Sequence, residues 1–288
     1  MLKNKLTLCQ KKIYNINMSN LLLDRVAFTL FGLDVYWYGV IITSAIILDF
    51  ILFIFLARKK GMDPDLPYDL ILVLLPSAII FARLFAVVFD ADLTLADYFD
   101  FRGGGMSIIG AILGGALSLG IYCLIKKRNF LAIADILAPL LILGQAIGRW
   151  GNYFNKEVYG QLVTEESMQW FPYAVEIGSR WYQALFFYEF VANLLGFVLL
   201  LSLLMIIKKE KKGVVVSTYL IYYGTVRFFL EGLRVEKYIL KIGELPVSKI
   251  MAGIMVLAGI VLLVVVLAGK KKIRKANETV RVFNDGKD

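Results

Sequence analysis

Charged side chains interrupt several long apolar stretches of this sequence, and two of the interruptions have a spacing that could do chemistry. In the first, Arg227 and Glu231 lie four residues apart, so on a helix they share one face. Gly224 and Arg234 extend the same stripe, and a polar stripe on a membrane helix must face a cavity or other helices. The pattern predicts either a site for a charged group or a structural ion pair that locks two helices together.

The second interruption, residues 148–160, reads Gly-Arg-Trp-Gly-Asn-Tyr-Phe-Asn-Lys-Glu-Val-Tyr-Gly. Arg149, Asn152 and Asn155 are three residues apart, so a helix would align them. An arginine fork suits a phosphate, and amides can hydrogen-bond a phosphate or a glycerol hydroxyl. Glu157 is a carboxylate close by. The pattern indicates a site for a lipid headgroup in the outer leaflet, with a structural cap on a loop as the alternative.

Four further charges fall inside apolar stretches: Asp49, Arg83, Asp135 and Glu189. A charge at membrane depth costs about 2.5–3.5 kcal/mol on insertion scales, so each is a functional candidate. We expect Asp49 to make a hydrogen bond between helices. We expect Arg83 to pair with a carboxylate or reach the interface, and Asp135 to lie at a wet helix end.

The composition excludes several classes of protein. Of 288 residues, 59% are hydrophobic and only 19% are charged, whereas soluble domains average about 45–50% apolar and about 25% charged residues. A disordered chain, a collagen and an ordinary cytosolic enzyme are therefore excluded. The chain has no histidine and only two cysteines, too few for a zinc site or a disulfide framework. We expect no metal and no cofactor.

Seven segments are apolar enough to cross a bilayer, for which about 20 residues are needed. They are residues 36–57, 70–89, 106–125, 131–147, 184–207, 214–230 and 248–268, of which the fourth is short. We therefore expect an all-α polytopic membrane protein with about seven transmembrane helices.

Charge alternates between the linkers. Lys and Arg cluster after the first, third, fifth and seventh segments, at residues 58–60, 126–128, 208–212 and 270–275. Acidic residues at 90–100 and 165–176 fall on the other side. Because cytoplasmic loops are enriched in Lys and Arg, we expect a cytoplasmic C-terminus and an external N-terminus.

The first residues disagree with this topology, because four lysines precede Met18 and would lie outside. Residues 1–17 are therefore interpreted as a disposable extension or a misplaced start. Residues 18–268 are expected to form a single transmembrane domain, with a small external head at about 150–182. Residues 269–288 are expected to form a basic cytoplasmic tail.

Two glycine pairs have the spacing that lets helices approach closely. They are Gly110 with Gly114, and Gly144 with Gly148. We predict that both pairs serve packing.

Taken together, six motifs resemble the prolipoprotein diacylglyceryl transferase family. They are residues 148–160, residues 223–231 with Arg234, residues 35–39, residues 104–114, Tyr188-Glu189 and residues 246–248. The matches keep the family's order from about residue 26 to 268, which makes the resemblance far more specific than any one motif.

The resemblance implies an enzyme that transfers the sn-1,2-diacylglyceryl group of phosphatidylglycerol to the lipobox cysteine thiol of a preprolipoprotein. The products would be a thioether and glycerol 1-phosphate. It also implies a multi-pass protein of the bacterial cytoplasmic membrane that needs no metal and binds lipids and signal peptides but no nucleic acid. The alternative is a non-catalytic paralogue that binds or transports lipid. A transporter would be expected to contain an inverted repeat, and the two polar motifs are unlike each other.

The resemblance also implies site residues. It ties Arg149 to phosphatidylglycerol binding. The residues predicted to be catalytic are Arg227, Glu231 and Glu157. The residues predicted to bind substrate are Arg149, Asn152, Tyr38, Gly160 and Arg234.

The sequence departs from the family at two positions. Many members have histidine where Ile109 stands, and a histidine-proline pair where this chain has Gln183-Ala184. An imidazole base is therefore excluded. Either the reaction needs none, or a carboxylate takes that role, or the chain is an impaired paralogue.

Overall fold

The computed structural model describes residues 25–89, 94, 98–99, 106–207, 211–236, 239, 241–242 and 245–285, with only the backbone described for 241–242 and 269–285. The predicted extension 1–17 lies outside these residues. Seven long helices occur in the described part: α1 Trp37–Lys59, α2 Leu66–Phe89, α3 Ile108–Ile125, α4 Phe130–Asn155, α5 Leu185–Ile206, α6 Val214–Glu231 and α7 Val247–Asp285.

Six of these helices are long and apolar enough to cross a membrane, which confirms the prediction of a polytopic α-helical protein. The exception is α6, which we predicted as the sixth span and which does not meet the same criterion among the described residues. The physical reason is its composition, because serine, threonine, tyrosine and Arg227 are spread along its 18 residues.

The fourth helix is longer than predicted. We expected it to end at residue 147, but α4 continues to Asn155 and carries the whole first half of the polar motif. Gly151 lies within this helix. The ring of Tyr38 packs against it where a side chain would be, since a Cβ there would be 2.5 Å from Tyr38 Cδ2. Beyond Asn155, Lys156 and Val158 have φ near +55°, which ends the helix.

The chain divides into two compact units, one of which comprises residues 50–137. In it α3 packs on α2 at the first glycine pair. A Cβ at Gly110 would be 2.3 Å from the Phe81 carbonyl oxygen, and one at Gly114 would be 2.5 Å from Phe81 Cβ, so the predicted packing role is confirmed. Arg83 and Asp135 are both buried, which corrects the expectation of a wet position for Asp135.

The other unit comprises residues up to 49 and from 138 onward. Here α6 packs closely on α7, because a Cβ at Gly224 would be 2.8 Å from the Ala252 carbonyl oxygen and one at Gly259 would be 2.9 Å from that of Ser217. Gly224 therefore belongs to a helix contact and not to the polar site. The Tyr222 hydroxyl on α6 donates to the Ala192 carbonyl of α5 at 2.7 Å.

Short antiparallel hairpins also belong to this unit. They are β1 Val26–Leu30 with β2 Leu33–Tyr36, β3 Ala174–Ile177 with β4 Arg180–Gln183, and β5 Lys241–Ile242 with β6 Leu245–Pro246. Two isolated bridges tie the loop after α4 to neighbouring segments: Gly160 pairs with Arg234, and Leu162 with Tyr182. The loop after α4 and the turn after α6 are thereby held side by side.

Candidate functional site

The carboxylate of Glu189 on α5 is the centre of a buried polar cluster. It is 4% exposed and forms salt bridges with three guanidinium groups. Arg149 Nε lies 2.5 Å from its Oε2, while Arg227 Nη1 and Arg234 Nη2 each lie 3.2 Å from its Oε1. The helices α4 and α6 and the turn after α6 therefore converge on one carboxylate.

Glu231 is the second carboxylate of the cluster and is only 1% exposed. Its Oε2 lies 2.9 Å from Arg227 Nη2 and 3.3 Å from Arg234 Nε, although neither contact has the angle of a hydrogen bond. Its Oε1 is buried without a hydrogen-bond partner among the described residues. Breaking such a buried arrangement on one side only is costly, because the partner is left uncompensated.

The cluster of three arginines and two glutamates carries a net charge of +1. Burial lowers the pKa of the Arg234 guanidinium, and the nearby Arg227 lowers it further, against the opposite effect of the two glutamates. Arginine stays protonated in proteins because its ordinary pKa is so high. The cluster is therefore suited to an anionic ligand.

A chain of hydrogen bonds extends the cluster along the end of α4. Arg149 Nη1 donates to Asn152 Oδ1 at 3.3 Å, and Asn152 Nδ2 donates to Glu157 Oε1 at 3.2 Å. Asn155 Nδ2 donates to the same carboxylate oxygen at 3.1 Å. The expectation that a helix aligns Arg149, Asn152 and Asn155 is confirmed, and Glu157 is the acceptor that orients both amides.

Tyr38 and Gly160 were both predicted to bind substrate, and the structure places them differently. The Tyr38 ring packs on Gly151, is 41% exposed, and has its phenol close enough to Arg149 and Glu157 to interact with both charges. Gly160 is tightly packed, since a Cβ there would be 2.7 Å from Gln183 Cβ and 3.1 Å from the Leu233 carbonyl oxygen. Its visible role is to let the loop pass beside the turn that carries Arg234.

Arg234 does not lie on α6, contrary to the helical stripe that the sequence suggested. The helix ends at Glu231, and Arg234 follows in a turn, where its backbone pairs with Gly160. From there its side chain reaches back to Glu189 and Glu231.

The prediction from sequence missed two members of the cluster. Glu189 was noted as a charge inside an apolar stretch but not as the hub of the site. Tyr223 was quoted only as part of a motif, yet its hydroxyl lies close enough to the Arg149 guanidinium to interact with its charge. The available signal was a lone carboxylate in a membrane helix, which requires a partner.

The two sites at which the family resemblance suggested a histidine, Ile109 and Gln183, lie on separate elements. Ile109 is on α3, in the unit of residues 50–137. Gln183 ends β4, where its backbone pairs with Gly160 and Gln161, and its Oε1 is buried without a hydrogen-bond partner among the described residues. In the part of the chain that the structure describes, no three His, Cys, Asp or Glu side chains are grouped to hold a metal ion.

The fold and the cluster together define a multi-pass membrane protein with a buried, net cationic polar site. Comparison with known proteins makes this class specific. The profile of the family described as "Prolipoprotein diacylglyceryl transferase" matches residues 25–265, and the chain belongs to that family.

Curated relatives cover nearly the whole chain. The phosphatidylglycerol--prolipoprotein diacylglyceryl transferase of Finegoldia magna is 38% identical over 89% of this chain and 100% of its own length. Transferase 1 of that name from Clostridium perfringens is 38% identical over 88% of this chain and 98% of its own. The Listeria welshimeri protein is 36% identical over 84% and 89%.

Proposed function

We propose that this protein is a transferase that moves the diacylglyceryl group of phosphatidylglycerol to a prolipoprotein. Family membership and the names of the relatives support the activity. The observation in this chain that carries it is the buried cluster of three arginines and two glutamates, which has one more positive than negative charge. A substrate with a phosphodiester and a product with a phosphate monoester both suit that group.

The reaction is a substitution at a glycerol carbon. The lipobox cysteine sulfur forms a bond to the terminal carbon of the diacylglyceryl group, and the bond from that carbon to the phosphate oxygen breaks. The electron pair of the broken bond stays on the oxygen, so glycerol 1-phosphate leaves and a thioether remains. The thiol proton passes to a carboxylate or to water.

Arg149 is the group that we assign to the headgroup phosphate. A guanidinium has five N–H donors, and the contacts with Glu189 and Asn152 engage two of them. The remaining donors can reach a phosphate while the other contacts hold the plane of the fork. Asn152, Glu157 and Tyr38 lie around the same side chain and are assigned to orienting it and the glycerol headgroup.

Arg227 and Arg234 are assigned to the charge that develops during transfer. A cysteine attacks as the thiolate, and its free pKa of about 8.5 falls beside cationic groups. The same cations stabilise the leaving phosphate, which gains a negative charge as the bond breaks. Both effects favour the transition state over the ground state.

The proton acceptor must be something other than imidazole, since the chain has no histidine. Glu231 offers a buried Oε1 without a hydrogen-bond partner among the described residues, whereas Glu157 Oε1 already accepts from two amides. This difference favours Glu231 as the acceptor and Glu157 as an orienting group.

The same proposal places the protein in the bacterial cytoplasmic membrane, with the site at the outer leaflet, the N-terminus outside and the C-terminus in the cytoplasm. The basic linkers at residues 58–60 and 126–128 support this orientation through the positive-inside rule. The outer leaflet is also where a secreted preprolipoprotein would present its lipobox cysteine.

Reconstitution tests the proposed function. The full chain in vesicles of phosphatidylglycerol and phosphatidylcholine, given a lipobox peptide, is expected to produce lipidated peptide and glycerol 1-phosphate in equal amounts. A peptide with serine in place of the cysteine is the control and is expected to stay unmodified. Phosphatidylglycerol bound or moved between leaflets without lipidated peptide would overturn the enzymatic proposal in favour of a lipid-binding or lipid-transporting protein.

A further inference from the structure

We propose that Gln145 and Tyr219 are positioning residues for Arg149 and act on it through Tyr223. The proposal rests on the proposed function, because it concerns how the arginine assigned to phosphatidylglycerol is held. Among the described residues, no hydrogen bond or ion pair joins either side chain to the cluster around Glu189. They form a second polar set, one helical turn away along the same two helices.

The four residues form two parallel cross-links between α4 and α6. Gln145 and Arg149 are four residues apart on α4, and Tyr219 and Tyr223 are four residues apart on α6. Gln145 Nε2 donates to the Tyr219 hydroxyl at 3.0 Å, and the Tyr223 hydroxyl lies close enough to Arg149 to interact with its charge. Because both pairs advance by four residues in the same chain direction, α4 and α6 run parallel here.

The two cross-links are coupled through the tyrosine rings. The centroids of Tyr219 and Tyr223 are 5.7 Å apart, and the ring planes differ by only 11°. Four residues of helix rise about 6 Å, so the rings stack directly above one another. Tyr219 is 4% exposed and is fixed at its hydroxyl by Gln145, so its ring limits the orientation that Tyr223 can adopt.

This arrangement gives the Arg149 guanidinium a third neighbour, in addition to Glu189 and Asn152. Glu189 holds its Nε, and Asn152 accepts from its Nη1. Tyr223 lies beside the same guanidinium on a different helix, where its ring and hydroxyl limit the orientation of the guanidinium plane before substrate arrives. A planar fork binds a phosphate well only when its plane is correctly oriented, and preorganised donors cost no reorganisation during reaction.

Gln145 has a further property that folding alone does not explain. Its Oε1 is buried with no hydrogen-bond partner among the described residues, and an unpaired buried polar group is destabilising. An apolar side chain at this position would avoid that cost. The amide therefore serves the bond from its Nε2 to Tyr219, which is the bond on which the proposal depends.

Kinetics with the full-length reconstituted enzyme test the proposal. Tyr219→Leu removes both the ring and its hydroxyl, and we expect the KM for phosphatidylglycerol to rise about fivefold to tenfold while the KM for the lipobox peptide changes less than about twofold. Tyr219→Phe keeps the stacked ring but loses the bond to Gln145, so it is expected to raise the same KM by a smaller factor of about twofold to threefold. Tyr222→Phe is the matched control. Tyr222 is a partly buried tyrosine of the same helix, and its hydroxyl donates to the Ala192 carbonyl of α5; both KM values should stay unchanged.

A double-mutant cycle separates positioning from a general structural role. In a Tyr223→Phe background the hydroxyl that lies beside Arg149 is gone, so Tyr219→Leu should add less than about twofold to the KM for phosphatidylglycerol. A full, additive effect of Tyr219→Leu in that background would overturn the proposal, and so would a Tyr219→Leu enzyme with wild-type KM values. If Tyr219→Leu fails to fold, the same cycle is run with Tyr219→Phe and Gln145→Leu.

The dissociation constant for phosphatidylglycerol, measured in phosphatidylcholine nanodiscs, distinguishes failure of this inference from failure of the proposed function. A wild-type protein that binds the lipid but transfers nothing would overturn the enzymatic activity alone, and the cycle would still be decided from the dissociation constants. A protein that transfers normally but shows no coupling between positions 219 and 223 would overturn the positioning role alone.

Discussion

At the scale of single residues, three arginines of the site share two carboxylates. Glu189 is shared by three arginines, so none of them is fully neutralised by it. The chain thereby keeps cationic groups buried without pairing each one to its own carboxylate. An incoming phosphate can complete the set.

Arg149 gives the most direct prediction. Arg149→Ala should lower transfer about a hundredfold or more, the loss typical of removing one preorganised donor to a developing charge. Folding should survive, because Glu189 keeps Arg227 and Arg234 as partners. Arg149→Lys should recover little, since an ammonium cannot form the planar fork.

The measurement is lipidated peptide per minute in the reconstituted system, with the melting temperature in detergent as the check on folding. Arg180→Ala is the matched control, because Arg180 is exposed at the start of β4, and it should keep wild-type turnover. Normal turnover of Arg149→Ala would remove this residue from the site.

The absent histidine gives a second prediction. If a carboxylate takes the thiol proton, introducing an imidazole as Ile109→His should change the transfer rate by no more than about fivefold. Ile108→His, at the exposed neighbour, is the control for a nonspecific effect of the new side chain. A gain of several hundredfold at position 109 alone would show that the chain lacks a needed base, and would favour an impaired paralogue.

What could be predicted at this scale depended on whether a residue's partner is near in sequence. Arg149, Asn152 and Glu157 lie within one motif; the contact of Arg149 with Asn152 follows from helical spacing, and Glu157 lies two residues beyond the helix end. Glu189 takes its partners from α4, from α6 and from the turn after α6. No local pattern encodes those distances, so the hub of the site could not be identified before the tertiary structure was known.

At the scale of elements, the helix ends determine where the chemistry is placed. The extension of α4 to Asn155 carries the headgroup motif on a rigid helix, and the end of α6 at Glu231 frees Arg234 to turn back. The six helices that meet the criterion for a span were predictable from long apolar runs, even where a single charge interrupts the run. The sequence was less informative at the end of α4, which we predicted at residue 147 and which continues to Asn155.

The ion pair at the end of α6 gives a prediction about an element. Glu231→Gln leaves Arg227 and Arg234 without one of their two carboxylates, and breaking a buried pair typically costs about 3–5 kcal/mol. The double variant Arg227→Met with Glu231→Leu replaces both charges by apolar groups and should recover the melting temperature. It should nevertheless remain inactive, because Arg227 is assigned to the leaving phosphate or the thiolate.

The pair of Arg128 with Asp63, in the unit of residues 50–137, is a suitable control because both side chains are partly exposed. Arg128→Gln with Asp63→Asn should leave turnover within about twofold of wild type, since exposed pairs contribute about 0–1 kcal/mol. If the Arg227→Met, Glu231→Leu protein turned over normally, the pair would be structural only and the catalytic assignment would be wrong.

At the scale of the whole molecule, the open question is the number of membrane crossings. Six helices meet the requirements for a span, and α6 does not because polar residues are spread along it. A helix whose polar face is covered by protein can still cross a membrane, because what matters is the surface that meets lipid. The packing of α6 on α7 through Gly224 and Gly259, and its contacts with Glu189 on α5, cover much of that polar face.

We therefore predict that α6 crosses the membrane and that the chain crosses seven times. Single cysteines, introduced into a background of Cys9→Ser and Cys123→Ser, report this through labelling of intact cells with an impermeant maleimide. Glu165→Cys, in the exposed segment before β3, should be labelled, and Lys212→Cys, exposed before α6, should be protected until the cells are opened. A cysteine appended after residue 288 should be protected in the same way, because two crossings, α6 and α7, return the chain to the side of Lys212. Labelling of the appended cysteine in intact cells, together with protection of Lys212→Cys, would mean that α6 does not cross. The reverse pattern at Glu165 and Lys212 would invert the proposed orientation, and the site would then face the cytoplasm.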